Sequence, residues 1–369
     1  MSESTLQRVA AACATKVLAP LDLTVMDSSA AVRLKKYARH ARRLGVIVEN
    51  GPAETPTSAD LLDGDRDYLR MSNPRLAELR RRYAVVCHPA VARSRWTEAY
   101  VEREVPLLNF RADSGFVWQE RDANFEINYA LTYYYLKSID TLGLLSRLEE
   151  DGLFGLSPVD VGNGRRVSRD LLDSVSEILF LERQLALSSR QRVRVLDVGA
   201  GYGRFAHRLV TAHPQAEVLC TDAVPESAFL CEYYLRRRGV EGRARVVPFD
   251  ELRGVLDGGA IDLAVNICSF AEVPLVSIDG WIQLLAAARV RHFLIVPDAR
   301  DHGGTALVSH EEDGRRLDYT DRLHAHGYRL VAREPKYGDA TVQRYGVSPT
   351  QYHLYELAGA DDGRSERRG

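Results

Sequence analysis

Cysteine, methionine and tryptophan are scarce in this 369-residue sequence, at five, three and three residues. The cysteines (Cys13, Cys87, Cys220, Cys231 and Cys268) are scattered and odd in number, with no CxxC pair. That pattern excludes a disulfide framework and a thiolate metal knot. Cys220 and Cys268 lie in apolar, strand-like runs, where thiols act as small hydrophobes. A reducing, cytoplasmic setting is expected. An excess of charge is lacking too. The formal net charge is −2, which gives no general attraction for polyphosphate. Two local basic clusters, Arg33 to Arg43 and Arg80 to Arg82, fall in helical patterns and read as solvated faces, so no nucleic-acid partner is expected. No apolar run is long enough to span a bilayer, and the opening MSESTLQRVAAACATKVLAP is too polar for a signal peptide. No membrane partner is expected, and the chain reads as soluble.

The composition is 45% hydrophobic, enough for a large core, and the length suggests two domains. Residues 1–165 read as helices joined by polar loops. Leu76, Leu79 and Tyr83 fall at helical spacing behind Pro74, with Ser72 or Asn73 as cap. Further helices are expected over Ala90–Val105 and Ala123–Ile139. Residues 151–168 are rich in Gly, Pro and Asp and read as a linker. Residues 166–358 change character. An amphipathic helix through Leu171, Val175 and Ile178 is followed by short apolar runs alternating with helices. The strand candidates are Val193–Val198, Ala216–Thr221, Ala244–Val247, Ile261–Ile267 and His292–Val296, then Tyr328–Arg333 and Tyr352–Leu357. Apolar runs of that length, separated by helices, are what a parallel sheet covered on both faces requires. Residues 359–369 are charged and read as a disordered tail.

The most informative segment is VRVLDVGAGYGRFAHRLV, Val193 to Val210. A strand runs through Asp197, a turn supplies Gly199, Ala200, Gly201 and Gly203, and a helix follows. Glycines there permit a tight turn and let a ligand approach the backbone. The next strand leads into Asp222, near the spacing expected of an acid that binds ribose hydroxyls; the alternative is that Asp222 only caps the following helix. After the third strand come Phe249 and Asp250, which fit an adenine ring and its amine, or a helix cap in the case of Asp250. Hydride-transfer dinucleotide enzymes share much of this pattern. An acid just before the turn, Asp197, and a final pair of strands split near Gly338 to Pro349 favour a sulfonium cofactor, S-adenosylmethionine.

These motifs resemble the class I S-adenosylmethionine-dependent methyltransferases. More narrowly, DVGAGYGRFAHRL together with NICSFAEVP resembles bacterial sugar O-methyltransferases, through an Asn-x-x-Ser-x-x-Glu stretch at Asn266, Ser269 and Glu272. NYALTYYYLKSID, Asn128 to Asp140, resembles the helix preceding their catalytic domain. The resemblance implies an α/β fold, a Rossmann-like seven-stranded doubly wound sheet with an N-terminal helical domain acting as lid and acceptor pocket. It also implies O-methylation of a sugar or glycosylated small molecule, with a phenol, an amine, a carboxylate or a non-catalytic binding role as alternatives. Asn266 falls with the cofactor set.

The acceptor belongs outside the C-terminal strand ends. There stand Ser269 and Glu272, then Asp298, Asp301 and His302. His302 is the simplest general base, with Asp298 and Glu272 as further catalytic candidates. Asp298, Asp301 and Glu272 form an alternative oxygen-rich site for Mg2+. Tyr133 and Tyr134 offer aromatic walls for a sugar, although adjacent residues cannot share one helix face. Trp96, Trp118 and Gln119 are placed in an N-terminal cover, and His207 is assigned a structural role. A homo-oligomer is compatible with the sequence.

Overall fold

Val193–Val198 sends Val193 and Val195 to one side and Leu196 and Val198 to the other, and these pairs enter two separate apolar clusters. A strand apolar on both faces needs helices on both, and that requirement sets the architecture. The computed structural model describes residues 61, 63–120, 125–162, 164–298 and 305–359. In chain order the helices are α1 (Asp63–Tyr68), α2 (Pro74–Ala84), α3 (Glu98–Glu104), α4 (Phe125–Ile139), α5 (Leu144–Arg147), α6 (Arg169–Leu185), α7 (Arg204–Ala212), α8 (Pro225–Arg237), α9 (Phe249–Asp257), α10 (Leu275–Ala287), α11 (Thr320–Ala325) and α12 (Ala340–Tyr345). The strands are β1 (Val159–Asp160), β2 (Arg166–Val167), β3 (Val193–Val198), β4 (Ala216–Thr221), β5 (Ala244–Val246), β6 (Leu263–Ile267), β7 (His292–Val296), β8 (Tyr328–Pro335) and β9 (Gln351–Leu357).

The main sheet has seven strands in the order β5-β4-β3-β6-β7-β9-β8. β3 to β7 are parallel, and β9 enters antiparallel to both β7 and β8. The order reverses between β3 and β6, so a crevice opens at their carboxyl ends, the usual place for a ligand in such sheets. The expected fold is therefore the observed one: a Rossmann-like doubly wound sheet with an N-terminal helical region.

The N-terminal helices extend the core of the sheet. Leu69, Leu76 and Leu79 join the same apolar cluster as Phe229 and Leu230 of α8. Asn73 caps α2, accepting from the Arg75 N–H at 2.8 Å. α2 is also pinned by ion pairs, Arg75 to Glu232 at 2.5 Å and Arg80 to Glu226 at 2.7 Å. Tyr68 stacks on Phe229 with centroids 5.2 Å apart.

Two sequence expectations are corrected. Ala90–Val105 is not one helix. Pro89–Val91 forms a single 3-10 turn, and the helix starts only at Glu98, behind its Thr97 cap. Between them Ser94 donates to the carbonyls of Glu272 (3.3 Å) and His310 (2.5 Å), bonds that hold the segment against the sheet. Residues 151–168 are also more than a linker, because β1 and β2 pair there and Phe154, Leu156 and Val161 are buried. The expected tail, beyond Gly359, lies outside the described residues. No described helix is long and apolar enough to cross a membrane.

Candidate active site

A cavity of about 260 Å³ opens at the carboxyl ends of β3, β6 and β7. Its base is the turn from β3 into α7. Gly199, Gly201 and Gly203 have φ of 71°, 55° and 87°, a left-handed conformation that favours glycine. A Cβ on Gly199 would sit 2.1 Å from Ser269 Oγ, and one on Gly203 would sit 2.8 Å from Cys231 Sγ. The turn is fastened to β4 by the N–H groups of Gly199 (2.9 Å) and Ala200 (3.2 Å), which both donate to the Thr221 carbonyl.

Asp222 ends the β4 edge of this turn. One carboxylate oxygen accepts from Gly201 N–H at 3.0 Å, the other from Val224 N–H at 2.9 Å. It therefore ties the glycine turn to the residue just before α8 without capping that helix, and it also lines the cavity. Burial pushes its pKa up to about 6 against those two N–H bonds. Asp197, at the end of β3, is more extreme. Burial, with Glu177 and Asp222 nearby, raises it to about 7, and only Arg204 opposes. Its Oδ2 is buried, lines the same cavity and has no hydrogen-bond partner among the described residues.

Arg204, the first residue of α7, is held by α6. Its guanidinium donates to Glu177 at 2.8 and 3.0 Å and to Ser174 at 2.8 Å. The cavity floor thus alternates buried acids and cations. A donor set of this kind (a lone buried carboxylate oxygen, a glycine cradle a side chain would fill, and an acid at the neighbouring strand end) fits a ligand carrying an ammonium and a diol.

Asn266 and Ser269 support the cradle. Asn266 Nδ2 donates to the Val198 carbonyl at 3.0 Å and to Ser269 Oγ at 2.5 Å, while its Oδ1 accepts from Phe270 N–H at 3.1 Å. Asn266 is buried and lies outside the cavity lining; Ser269 lines it directly beneath Gly199. Glu272 closes the Asn-x-x-Ser-x-x-Glu stretch. Its carboxylate accepts from Arg95 at 3.2 Å and from Trp96 Nε1 at 2.8 Å. Trp96 packs on Phe116 with centroids 5.5 Å apart, and Phe116 lies within 3.2 Å of a Cβ position on Gly201. The segment from Arg93 to Trp118 therefore lends Arg93, Arg95, Trp96 and residues 114–118 to the cavity wall, as a strap latched on Glu272.

The structure does not gather every expected residue. Asp250 is held at 2.7 and 2.9 Å by Arg82 of α2 and lies outside the lining. Phe249 is buried against Trp281, with centroids 5.3 Å apart, also outside it. Tyr133 and Tyr134 are core residues packed edge to face at 5.1 Å, with Tyr134 donating to the Val161 carbonyl. Neither reaches the cavity. Asp298 does line it, beside Cys268 and Arg169. Asp301 and His302 lie outside the described residues. Glu272 is committed to Arg95 and Trp96, and Asp301 of the expected Mg2+ set is not among the described residues; within those residues no group of acids, histidines and cysteines could hold a metal. His207 bonds the Tyr234 hydroxyl at 3.1 Å, and burial lowers it to about 2, so it stays neutral.

Sequence reasoning missed Arg169, Asp170, Asp173, Glu177, Arg204 and Lys336. A signal was present: charged residues at 169, 170, 173 and 177 recur at helical spacing on the face that α6 buries.

Residues 166–266 match the family model of the methyltransferase small domain. No sequence among curated proteins matches it. Among solved structures it is similar to magnesium protoporphyrin IX methyltransferase from Synechocystis with bound S-adenosylmethionine. That match has 14% identity, covers 62% of this chain and 97% of the other, and has a TM-score of 0.38. An S-adenosylmethionine-dependent methyltransferase from Clostridium acetobutylicum is similar at 12% identity, covering 51% and 92%, with a TM-score of 0.37. Mitomycin 7-O-methyltransferase matches at 14% identity over 51% of this chain, with a TM-score of 0.34, and the match spans 57% of that protein's length.

Proposed function

We propose that the chain transfers the methyl group of S-adenosylmethionine to a hydroxyl of a sugar or glycosylated small molecule. The observation that carries the cofactor half is the unpartnered Asp197 Oδ2 beside the glycine cradle. Asp197 would hold the ammonium, the Gly199–Gly203 backbone would pass along the cofactor, and Asp222 would take the ribose hydroxyls. The cofactor, when bound, supplies an electrophilic methyl on a sulfonium. The acceptor half is supported by the strap. Trp96, Phe116 and Trp118 line the cavity with aromatic surface, which packs well against sugar C–H groups.

The chain's own contribution is alignment and exclusion of water. Transfer needs an in-line approach, and charge disperses as it proceeds, so a dry, oriented pocket lowers the barrier. The strap provides the cover. A sugar hydroxyl is a weak acid and requires a base; Asp298 is the described candidate at the end of β7, and His302, four residues on, is the other. Glu272 serves this reaction by holding the strap, because both its oxygens are engaged there.

Labelled methyl transfer to a panel of methyl glycosides, run with and without chelator, tests the proposal. Label on a sugar that persists with chelator is the expected result. Label lost with chelator would require metal assistance, and absence of label from every sugar would refute the assignment of acceptor.

A further inference from the structure

Three aromatic side chains of the strap line the cavity, Trp96, Phe116 and Trp118. Two of them are already occupied. Trp96 is buried, gives its Nε1–H to Glu272 at 2.8 Å and meets Tyr100 edge to face with centroids 5.3 Å apart. Phe116 is wedged between Trp96 and Tyr202, 5.5 and 6.1 Å away, on the Gly201 side of the turn. It therefore belongs to the cofactor end. Trp118 differs. It is 59% exposed, and among the described residues no ring or cation packs on its indole.

A loose surface loop would account for such a side chain, but the backbone here is fixed on both sides. Ahead of it, Ser114 N–H closes a turn on the Val117 carbonyl at 2.9 Å. The Trp118 carbonyl itself accepts from Arg169 Nη1 at 2.6 Å. Behind it, Gln119 and Glu120 are buried. Gln119 N–H donates to Asp113 at 2.6 Å and its side-chain amide to the Arg111 carbonyl at 3.1 Å, while its own carbonyl accepts from the Tyr129 hydroxyl at 2.5 Å. Glu120 turns the chain in the left-handed region (φ 53°), a conformation that a non-glycine residue keeps only where its surroundings enforce it. Those surroundings are Ser348 N–H, which donates to Glu120 Oε2 at 3.0 Å, and Arg169, which pairs with Oε1 at 3.8 Å. The chain is tied down on both sides, and one indole is left uncovered at the cavity rim.

The same bonds place this indole near the reacting end. Arg169, which holds the Trp118 carbonyl, lies within electrostatic reach of Cys268 and Asp298, just beyond the ends of β6 and β7. Both line the same cavity. A ring lying on Trp118 is thus beside the strand ends, where a ligand of such a sheet reacts. An indole offers an extended apolar face whose π cloud attracts polarised C–H groups. A pyranoside with all its hydroxyls equatorial presents such C–H groups together on one side. An open-chain polyol carries similar hydroxyls and has no ring face.

We propose that Trp118 is the platform on which the acceptor ring stacks, and that it selects pyranosides with an unbroken C–H face against open-chain polyols. The proposal rests on the methyl-transfer reading above.

The test uses the full chain loaded with S-adenosylhomocysteine, so that no turnover occurs, and measures affinity by titration calorimetry. Methyl β-glucoside and glucitol are the probes. The expected preference for the glucoside is at least roughly tenfold. Trp118→Ala should remove that preference by weakening the glucoside alone, and Trp118→Phe should restore most of it. Both variants should bind S-adenosylhomocysteine as the wild type does. Saturation-transfer NMR should favour the protons of one ring face in the wild type, and the difference should disappear in Trp118→Ala. Equal binding of the two probes, or a Trp118→Ala variant that keeps the preference, would overturn the proposal and leave the methyl-transfer reading standing. So would a loss of S-adenosylhomocysteine affinity to match the loss of glucoside, which would make Trp118 structural. If the wild type binds neither probe, the sugar reading itself fails and the proposal with it.

Discussion

Asp197 shows how one carboxylate couples stability to function. Its folded pKa, about 7, lies well above the unfolded value near 4, so the folded chain holds a proton that the unfolded chain releases. Its contribution is therefore intact below the unfolded value and is lost as pH rises toward 7. Asp197→Asn should raise the thermal midpoint at pH 8, by a stabilisation on the order of 2 kcal/mol, while weakening S-adenosylmethionine at least roughly tenfold. Scanning calorimetry and titration calorimetry read the two effects; a variant that lost affinity without gaining stability would refute the buried-acid account. In the wild type, binding of the cofactor's ammonium should expel the Asp197 proton. Affinity should then climb as pH rises from 6 to 7, with a binding heat that depends on the ionisation enthalpy of the buffer. Asp222→Ala removes the acceptor for both Gly201 and Val224, so it should cost affinity and also about 1 kcal/mol of stability through the two lost hydrogen bonds. The placement of Asp197 and Asp222 at the cavity was legible because strand, acid and glycine turn are contiguous. Asp250 was misread because Arg82, which claims it, comes from another helix far away in sequence. Tyr133 and Tyr134 were misread for a similar reason, since only the packing of α4 reveals that its tyrosines are core.

At the scale of elements, the strands were the most legible part. β3, β4 and β7 run over the residues that the short apolar runs mark, because a buried parallel strand leaves a largely uninterrupted apolar run. The stretch from Ala90 to Val105 was the least legible. Its local pattern favours a helix, yet Ser94, Arg95 and Trp96 take their partners from Glu272 and His310, and tertiary bonds prevail over propensity. Two predictions belong here. Gly199→Ala combines a positive φ with a clash on Ser269, so the turn must move; cofactor binding should be abolished by calorimetry even where the chain stays folded by circular dichroism. Glu272→Gln weakens the latch on Arg95 while keeping an acceptor for Trp96 Nε1. It should raise KM for S-adenosylmethionine severalfold with a smaller change in kcat, whereas a general base would show the opposite split.

For the whole molecule, the N-terminal half is tied to the sheet through charge as well as apolar packing. Arg111 is fully buried, donating to Glu150 at 2.6 Å and to Asp151 at 3.0 Å, and lies 3.5 Å from Asp170 of the cavity floor. Burial disfavours its charge, but Glu150 and its neighbours hold the pKa well above the usual value. Removing one partner of such a cluster strands the others, so Arg111→Met should cost about 3–5 kcal/mol and lower the thermal midpoint sharply. Nothing in the sequence singles out Arg111 among the many arginines; its acids lie some forty residues further on, and only the fold brings them to it.

The central claim is that the glycine cradle presents a methyl group to a sugar hydroxyl under the strap. Its most direct measurement is a single turnover: protein loaded with methyl-labelled S-adenosylmethionine, mixed with a neutral methyl glycoside, quenched and resolved by mass and by the position of the label. The account predicts label on a sugar oxygen, appearing together with S-adenosylhomocysteine and needing at least roughly tenfold more cofactor in Asp197→Asn. Cofactor that stays methylated with every glycoside, or label found on nitrogen alone, would contradict it.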